Sequence, residues 1–256
     1  MGLKLSKSSG LATQSSSLRS APAPAARAKR STKAKLPAAK AIKGRLSPLE
    51  REAQIVKGAI SYFSEVGFSG QTRELSIRLG ITQPLLYRYF SSKQALVDRV
   101  YKTVFEGRWN AQWLVLLQDR SMPFRERLIE FYRQYSAATY RPDWIRIYMF
   151  AGLSSPSLNQ RYIKLIRREL LPVMCRELRH YCKCESQREV SDDEMEYVWN
   201  LHGGIFYYAV REHVYQIRML VPLMNKVEHA VDGFLAGAIS TYPQVLVPKV
   251  KRSKTA

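Results

Sequence analysis

Gln83, Pro84, Tyr87 and Arg88 share one side of a short helical stretch, with Leu85, Leu86 and Tyr89 on the other. An amide, a phenol and a guanidinium in front of an apolar back suit a helix lying in a major groove. There an amide or a guanidinium can make two hydrogen bonds to one base edge. Little else in the chain offers comparable chemistry. His180, His202, His213 and His229 are scattered, with no pair at the spacing of metal ligands on one helix. Cys182-Lys183-Cys184 with Cys175 would suit an oxidant or soft-metal sensor, but free cysteines in a cytosolic helix and loop are the commoner case. No nucleophile–base–orienter set and no phosphate loop is visible, so the reading is a non-enzyme with no metal and no cofactor.

A reading helix needs a turn before it and support behind it. Gly80 stands where a turn between helices needs a residue tolerant of positive φ. Thr82 can cap the next helix, and Pro84 falls in its first turn, where a missing N–H does no harm. Thr72 to Val100 therefore reads as two short helices and a third, which begins near Ser92 and runs to Trp109. Upstream, Ser47-Pro48-Leu49-Glu50 combines a capping box with proline at the first helical position, and Gly67 ends the helix it opens. Phe63, Phe68, Leu75, Leu79, Ile81, Leu86 and Phe90 are the expected core of a three-helix helix-turn-helix domain.

The helical pattern continues. Segments are expected from Pro123 to about Tyr140, from Pro142 to Ala151, and from Leu158 to Tyr181 with a kink at Pro172. Further helices are expected from Ser191 to Glu212, around Gly203-Gly204, and from Pro222 to Tyr242. Ser154-Ser155-Pro156-Ser157 reads as a loop. The glycine pair suggests a close backbone approach or a bend, and Ala230, Gly233 and Gly237 form a small-residue strip. No strand pattern or repeat is visible, so the fold class is all-α: an N-terminal three-helix HTH domain plus a C-terminal helical domain.

Charge separates tails from body. The chain has 41 Lys and Arg against 21 Asp and Glu, a net +20. Residues 1–46 hold eleven basic residues and no acid, and the last ten residues hold four more. The remaining 26 basic residues face 21 acids, so the body is only mildly basic. The expected boundaries are a disordered basic tail at 1–46, the HTH domain at 47–106, the second domain at 107–243 and a basic tail at 244–256. The first tail fits non-specific phosphate binding, a plain solvated extension, or targeting, since Met1-Gly2-Leu3-Lys4-Leu5-Ser6 loosely matches an N-myristoylation pattern. Three cysteines make no disulfide framework, and no apolar run approaches membrane-helix length, so a cytoplasmic, nucleoid-associated protein without membrane contact is expected.

The run Leu79-Gly80-Ile81-Thr82-Gln83-Pro84, continuing through Leu86-Tyr87, Tyr89-Phe90 and Ser92-Lys93 to Leu96, resembles the DNA-binding module of the TetR family of bacterial transcriptional regulators. The resemblance is close over roughly residues 50–105. It implies Arg73 on guanine, Gln83 on adenine and Pro84 against a thymine methyl, with Thr72, Tyr87, Tyr89 and Lys93 on phosphates. Thr82 and Arg88 belong to the same DNA-binding set. Arg73 and Lys93 also fit solvated surface residues, and Tyr87 fits the edge of the core. A small tilt would carry Gln83 from base to phosphate. Gln71, Leu85 and Tyr89 stand where members often carry Ser or Thr, a small polar residue and His, so no operator sequence follows.

In such proteins the second domain binds a small-molecule effector and dimerises through its last two helices. Trp144, Tyr148, Tyr162, Trp199 and Phe206, with Phe150 and Tyr207 beside them, are the candidate effector pocket; plain core is the competing reading. The expectation is a homodimeric repressor of a near-palindromic operator in double-stranded DNA, released by an unknown effector that shifts the helix from Ser92 to Trp109. The alternative is an effector-independent nucleoid or interaction protein that binds DNA through its tail.

Overall fold

The Glu50 N–H donates to Ser47 Oγ (3.3 Å) and the Ser47 N–H to Glu50 Oε2 (2.8 Å), the reciprocal cap that the sequence announces. It opens helix α1 (Pro48–Val66) of the computed structural model, which describes residues 46–154 and 156–247. The chain continues through α2 (Thr72–Leu79), α3 (Gln83–Tyr89), α4 (Lys93–Val104), α5 (Gln112–Gln118) and α6 (Phe124–Thr139). Then come α7 (Pro142–Ser154), α8 (Pro156–Leu165), α9 (Leu171–Tyr181), α10 (Asp192–His213) and α11 (Leu223–Val245). No strand occurs among the described residues, and the all-α expectation holds. No helix among them is long and apolar enough to cross a membrane. The N-terminal tail, its myristoylation pattern and the last nine residues lie outside the described part.

Several boundaries differ from the sequence expectation, each for a local reason. α4 stops at Val104 rather than Trp109, and the chain tightens into a 3₁₀ turn at Glu106–Arg108. Phe105 is drawn fully into the core there, and Arg108 turns back to Asp143 (2.6 Å). The break expected at Pro172 takes the form of a π-helical segment, Ile166–Leu170, between α8 and α9. Proline has no N–H to offer and its ring crowds the preceding turn. The helix widens, and the Leu171 N–H donates to Ile166 O. Of the expected serine loop, Ser154 closes α7 and Pro156 and Ser157 open α8, while Ser155 lies outside the described residues. α11 passes through Pro243 to Val245, so the C-terminal tail starts later than 244. At Gly203 and Gly204 there is no close backbone approach, since a Cβ on Gly204 would meet nothing within 4 Å.

The described residues pack as part of one compact unit. α1 packs on α2, α4 and α7, while α10 packs on α7, α9 and α11. Two buried ion pairs fix the far side. Arg127 meets Glu177 (2.8 Å), which Arg120 also grips with two hydrogen bonds (3.0 and 3.1 Å). Arg179 makes a two-point contact with Glu194 (2.7 and 2.8 Å) and also donates to the carbonyls of Ser186 and Arg188 (both 2.8 Å). Glu194 also caps α10 through the Ser191 N–H (2.9 Å) and accepts from the Tyr242 hydroxyl (2.9 Å). Burial alone would raise the Glu194 carboxyl, but Arg179, Ser191 and Tyr242 together hold it below its usual range. A paired charge in the interior specifies geometry more than it stabilises. Here it fixes α9, the 182–190 loop, α10 and α11 in one register.

Two tests address this frame. Gly67 ends α1 with φ 75 and ψ −178, a conformation nearly closed to other residues, and a Cβ there would lie 2.9 Å from Phe150 Cδ1. Gly67→Ala should therefore lose about 1–3 kcal/mol of stability in denaturant unfolding; an unchanged midpoint would contradict the strain. His202 is 7% exposed, and burial pushes its imidazole down to about 4 from 6.5. Below pH 6.5 the unfolded chain takes up the proton and the folded chain does not. The stability that His202 contributes is thus whole above 6.5 and lost as pH falls towards 4, by up to about 3 kcal/mol. His202→Leu should remove that slope, measured as the difference from wild type at pH 7 and pH 4.5; parallel curves would sink the assignment.

Candidate nucleic-acid interface and the cavity behind it

α3 is set by its two ends. At its start, Thr82 Oγ1 accepts the Leu85 N–H (3.3 Å). Just before, Gly80 adopts the left-handed conformation (φ 63, ψ 32), so the Ile81 N–H reaches back to Ser76 O (3.0 Å) and closes α2. Leu75, Leu86 and Phe90 are buried behind it, while Leu79 and Ile81 are half-buried against the same core. The opposite surface leaves Thr82, Pro84, Tyr87 and Arg88 exposed and Gln83 half-buried.

A hydrogen-bond network spans the α2–α3 joint. Gln83 Nε2 donates to Thr72 Oγ1 (3.2 Å), and the Thr72 and Tyr87 hydroxyls share a hydrogen bond (3.0 Å). Thr72 is itself buried, so its hydroxyl faces these two side chains. Tyr89 is half-buried against the core, with the Arg88 guanidinium 5.6 Å from its ring centre. Lys93 is half-buried in the first turn of α4, whose N-terminal Ala95 N–H is capped by Ser92 Oγ (3.0 Å).

Charge pairing divides the arginines. Arg78 binds Glu65 (2.5 Å) and Glu74 (3.1 Å), and Arg99 binds Glu52 (3.2 Å). Arg73, Arg88 and Lys93 form no ion pair among the described residues. Arg73, Arg88 and Lys93 are thus available to a polyanion, while the charges of Arg78 and Arg99 are met by carboxylates.

Trp144, Tyr148, Tyr162, Trp199 and Phe206 come together around one cavity of about 60 Å³. Phe150 lies elsewhere, over the α1 terminus, and Tyr207 is 51% exposed. Sequence reading overlooked Tyr135, Ile163, Ile166 and His202 as cavity residues. The signal for His202 was present: residues 199, 202 and 206 follow the i, i+3, i+7 spacing of one helix face. The Tyr135 and Tyr162 hydroxyls bond each other (2.7 Å). Trp144 Nε1 and His202 Nδ1 are buried with no partner. Among the described residues no group of three or more His, Cys, Asp or Glu is placed to hold a metal ion. Burial raises the Cys175 thiol to about 12 and Cys182 to about 11, leaving both in the unreactive protonated form.

The cavity wall touches the support of the reading helix at several points. Phe105, at the end of α4, lies 5.0 Å from Trp144 and 5.6 Å from Tyr162 between ring centres. Arg161 pairs with Glu106 (2.6 Å) and sits 4.4 Å over the Tyr101 ring. From α7, Arg146 Nε donates to Ser64 O (2.5 Å), one of the carbonyls in the last turn of α1.

Residues 55–100 match the family described as bacterial regulatory proteins, tetR family. The tetracycline repressor protein class C of Escherichia coli is 31% identical over 94 residues, which is 34% of this chain and 42% of that repressor. The class G protein of Vibrio anguillarum is 29% identical over 85 residues, 30% of this chain and 40% of its own. The chain thus spans less than half the length of these curated relatives. Solved TetR-family regulators share the fold more widely. One from Streptomyces coelicolor covers 77% of this chain and 85% of its own at TM-score 0.55 and 17% identity. One from Pseudomonas syringae pv. tomato covers 75% and 97% at TM-score 0.52 and 21% identity. Residues 55–100 thus carry the helix-turn-helix of the TetR family of bacterial regulatory proteins, and the chain shares its fold with solved regulators of that family.

Proposed function

We propose that the protein is a homodimeric repressor that reads a near-palindromic operator with α3 and releases it when a small molecule enters the aromatic cavity. The carrying observation is the division of cations: Arg73, Arg88 and Lys93 have no carboxylate partner among the described residues, beside the paired Arg78 and Arg99. Arg73 and Gln83 read base edges, and Pro84 touches a thymine methyl. Tyr87, Arg88 and Lys93 hold phosphates, with Lys93 adding its charge to the positive end of α4. Thr72 supports this set from behind by orienting Gln83 and Tyr87 through its hydroxyl.

The dimer face is α10 with α11. Gly233 and Gly237 are exposed with nothing within 4 Å of a built Cβ, and Tyr207 and Ile239 are more than half exposed. Such a strip lets a second helix approach closely. A pair of reading helices then sits ~34–36 Å apart, one turn of DNA. Release follows from shared walls: a ligand against Trp144 and Tyr162 displaces Phe105, and with it the exit of α4. α7 carries the same displacement to α1 through Arg146.

Selection of bound sequences from random DNA with the full chain tests the reading. A paired, near-symmetric site is expected; binding with no preferred sequence would favour the nucleoid alternative. On the selected site, Arg73→Ala should cost about 1–3 kcal/mol and relax one base position per half-site. Lys93→Ala should weaken all sequences alike and reduce the salt slope by about one unit per chain. Thr72→Val keeps the shape but loses the hydroxyl, so it should blur the preference at the Gln83 position. Uniform loss from Arg73→Ala together with altered preference from Lys93→Ala would reverse the two roles.

A further inference from the structure

The cavity wall has an uneven chemistry. Its residues are aromatic or aliphatic apart from His202 and Gly203, and none carries a carboxylate, an ammonium or a guanidinium. Burial keeps the His202 imidazole neutral at pH 7. An anion entering here would lose its hydration with no cation to receive it, a cost that a wall of rings does not repay. A cation would find no counter-charge either, only ring faces, and some of those are already taken. The Tyr135 and Tyr162 hydroxyls are engaged with each other, and Trp144 and Tyr148 stack nearly parallel, 5.1 Å apart at 10°. Each of those two rings therefore already turns a face to the other. An unmet donor lies in the wall: the indole N–H of Trp144 can only donate, it is buried without an acceptor, and a ligand reaches it as the wall parts. His202 Nδ1 is a second unmet polar atom on the same wall.

Size narrows the ligand further. The space is about 60 Å³, and a cavity of roughly 150 Å³ is enough to hold benzene. One ring enters only if the wall parts to more than double the space, and a fused multi-ring skeleton would require the helices to separate further. The side that can give is α10, where Trp199, Gly203 and Phe206 are only half-buried. A Cβ on Gly203 would make no contact closer than 3.8 Å, so that position has room for a larger group.

We propose that the cavity takes an uncharged, single-ring aromatic compound bearing a hydrogen-bond acceptor, which accepts from Trp144 Nε1–H while its ring lies among Tyr148, Tyr162 and Phe206. The proposal rests on the reading of this cavity as the regulatory site, and it names the chemistry that the site selects.

Three probes of one size separate the possibilities: acetophenone, benzoate and phenyltrimethylammonium. Binding to the full chain is followed by calorimetry and by the fluorescence of Trp144 and Trp199. Acetophenone should bind once per chain, at least about tenfold more tightly than either ion. Trp144→Phe, which keeps the ring and removes the donor, should weaken acetophenone about 3–10-fold. Gly203→Leu, shown to be folded by its helical circular dichroism, should abolish binding by filling the space. Either ion binding as well as acetophenone, no probe binding, or acetophenone binding unchanged in both variants would overturn the proposal. Release of the selected DNA site is measured in parallel. Acetophenone bound in the cavity without any effect on DNA supports the ligand chemistry and sinks the regulatory reading. An ion that binds there and releases DNA does the reverse.

Discussion

Trp144 and Tyr148 lie one turn apart on α7, and Arg146 and Phe150 lie one turn apart on another side of it. The first pair lines the cavity. In the second, Arg146 holds the Ser64 carbonyl, and the Phe150 ring is what a side chain at Gly67 would strike. One helix is therefore constrained from two directions at once. A helix is stiff along its axis, and close-packed interiors leave little slack for its side chains to absorb a shift. Moving the aromatic pair must move the arginine or break its hydrogen bond. The end of α1 and the turn into α2 are thus positioned by the same element that closes the cavity.

The reading surface depends on a different constraint, the economy of polar contacts around α2 and α3. Thr72 satisfies Gln83 and Tyr87 inside the chain, so neither side chain searches freely for a partner. Ordering a long side chain on binding costs rotamer entropy, and part of that cost is met here before DNA arrives. In its proposed role the amide would give up or share its bond to Thr72 on meeting a base, and only a base offering a better pair of groups would displace the threonine. In the proposed roles Arg88 and Lys93 would act earlier and less selectively, since attraction to phosphates extends over a Debye length and carries no sequence information.

How much of this was legible in the sequence follows from the range of each interaction. Ser47 with Glu50, Ser191 with Glu194, Gly80 and Thr82 act within four or five residues, and their types alone announced the helix ends. The apolar spacing of α1 and α4 likewise indicated their buried faces. Glu194 shows where that reading stops. Its capping role was visible three residues away, but its partners Arg179 and Tyr242 lie 15 and 48 residues off, and nothing local selects them. The end of α4 was missed for the same reason: Phe105 is pulled inward by rings on α7 and α8, not by a breaker in its own stretch. The π segment before Pro172 was half legible, since proline demands some irregularity without dictating its form. Five aromatics chosen for the pocket do converge, but Phe150 and Tyr207 were chosen on the same grounds and do not, because residue type says nothing about which side of a helix meets the gap.

On the proposed function, the small volume of the cavity bears on how a ligand would act. A ligand shifts DNA affinity only by binding one arrangement of the chain better than another. A roomy, preformed pocket would accept a small molecule with little change and so with little leverage. Here the cavity is small, and its rings also rest on Phe105 and, through α7, on α1. In that reading, volume that a ligand takes from the Trp144 and Tyr162 side comes from contacts that position α4, so the strength of binding and the size of the displacement would be tied together. A tighter cavity gives up some affinity, because part of the binding free energy goes into parting the wall. In return, nearly all of the binding that remains discriminates between the two arrangements.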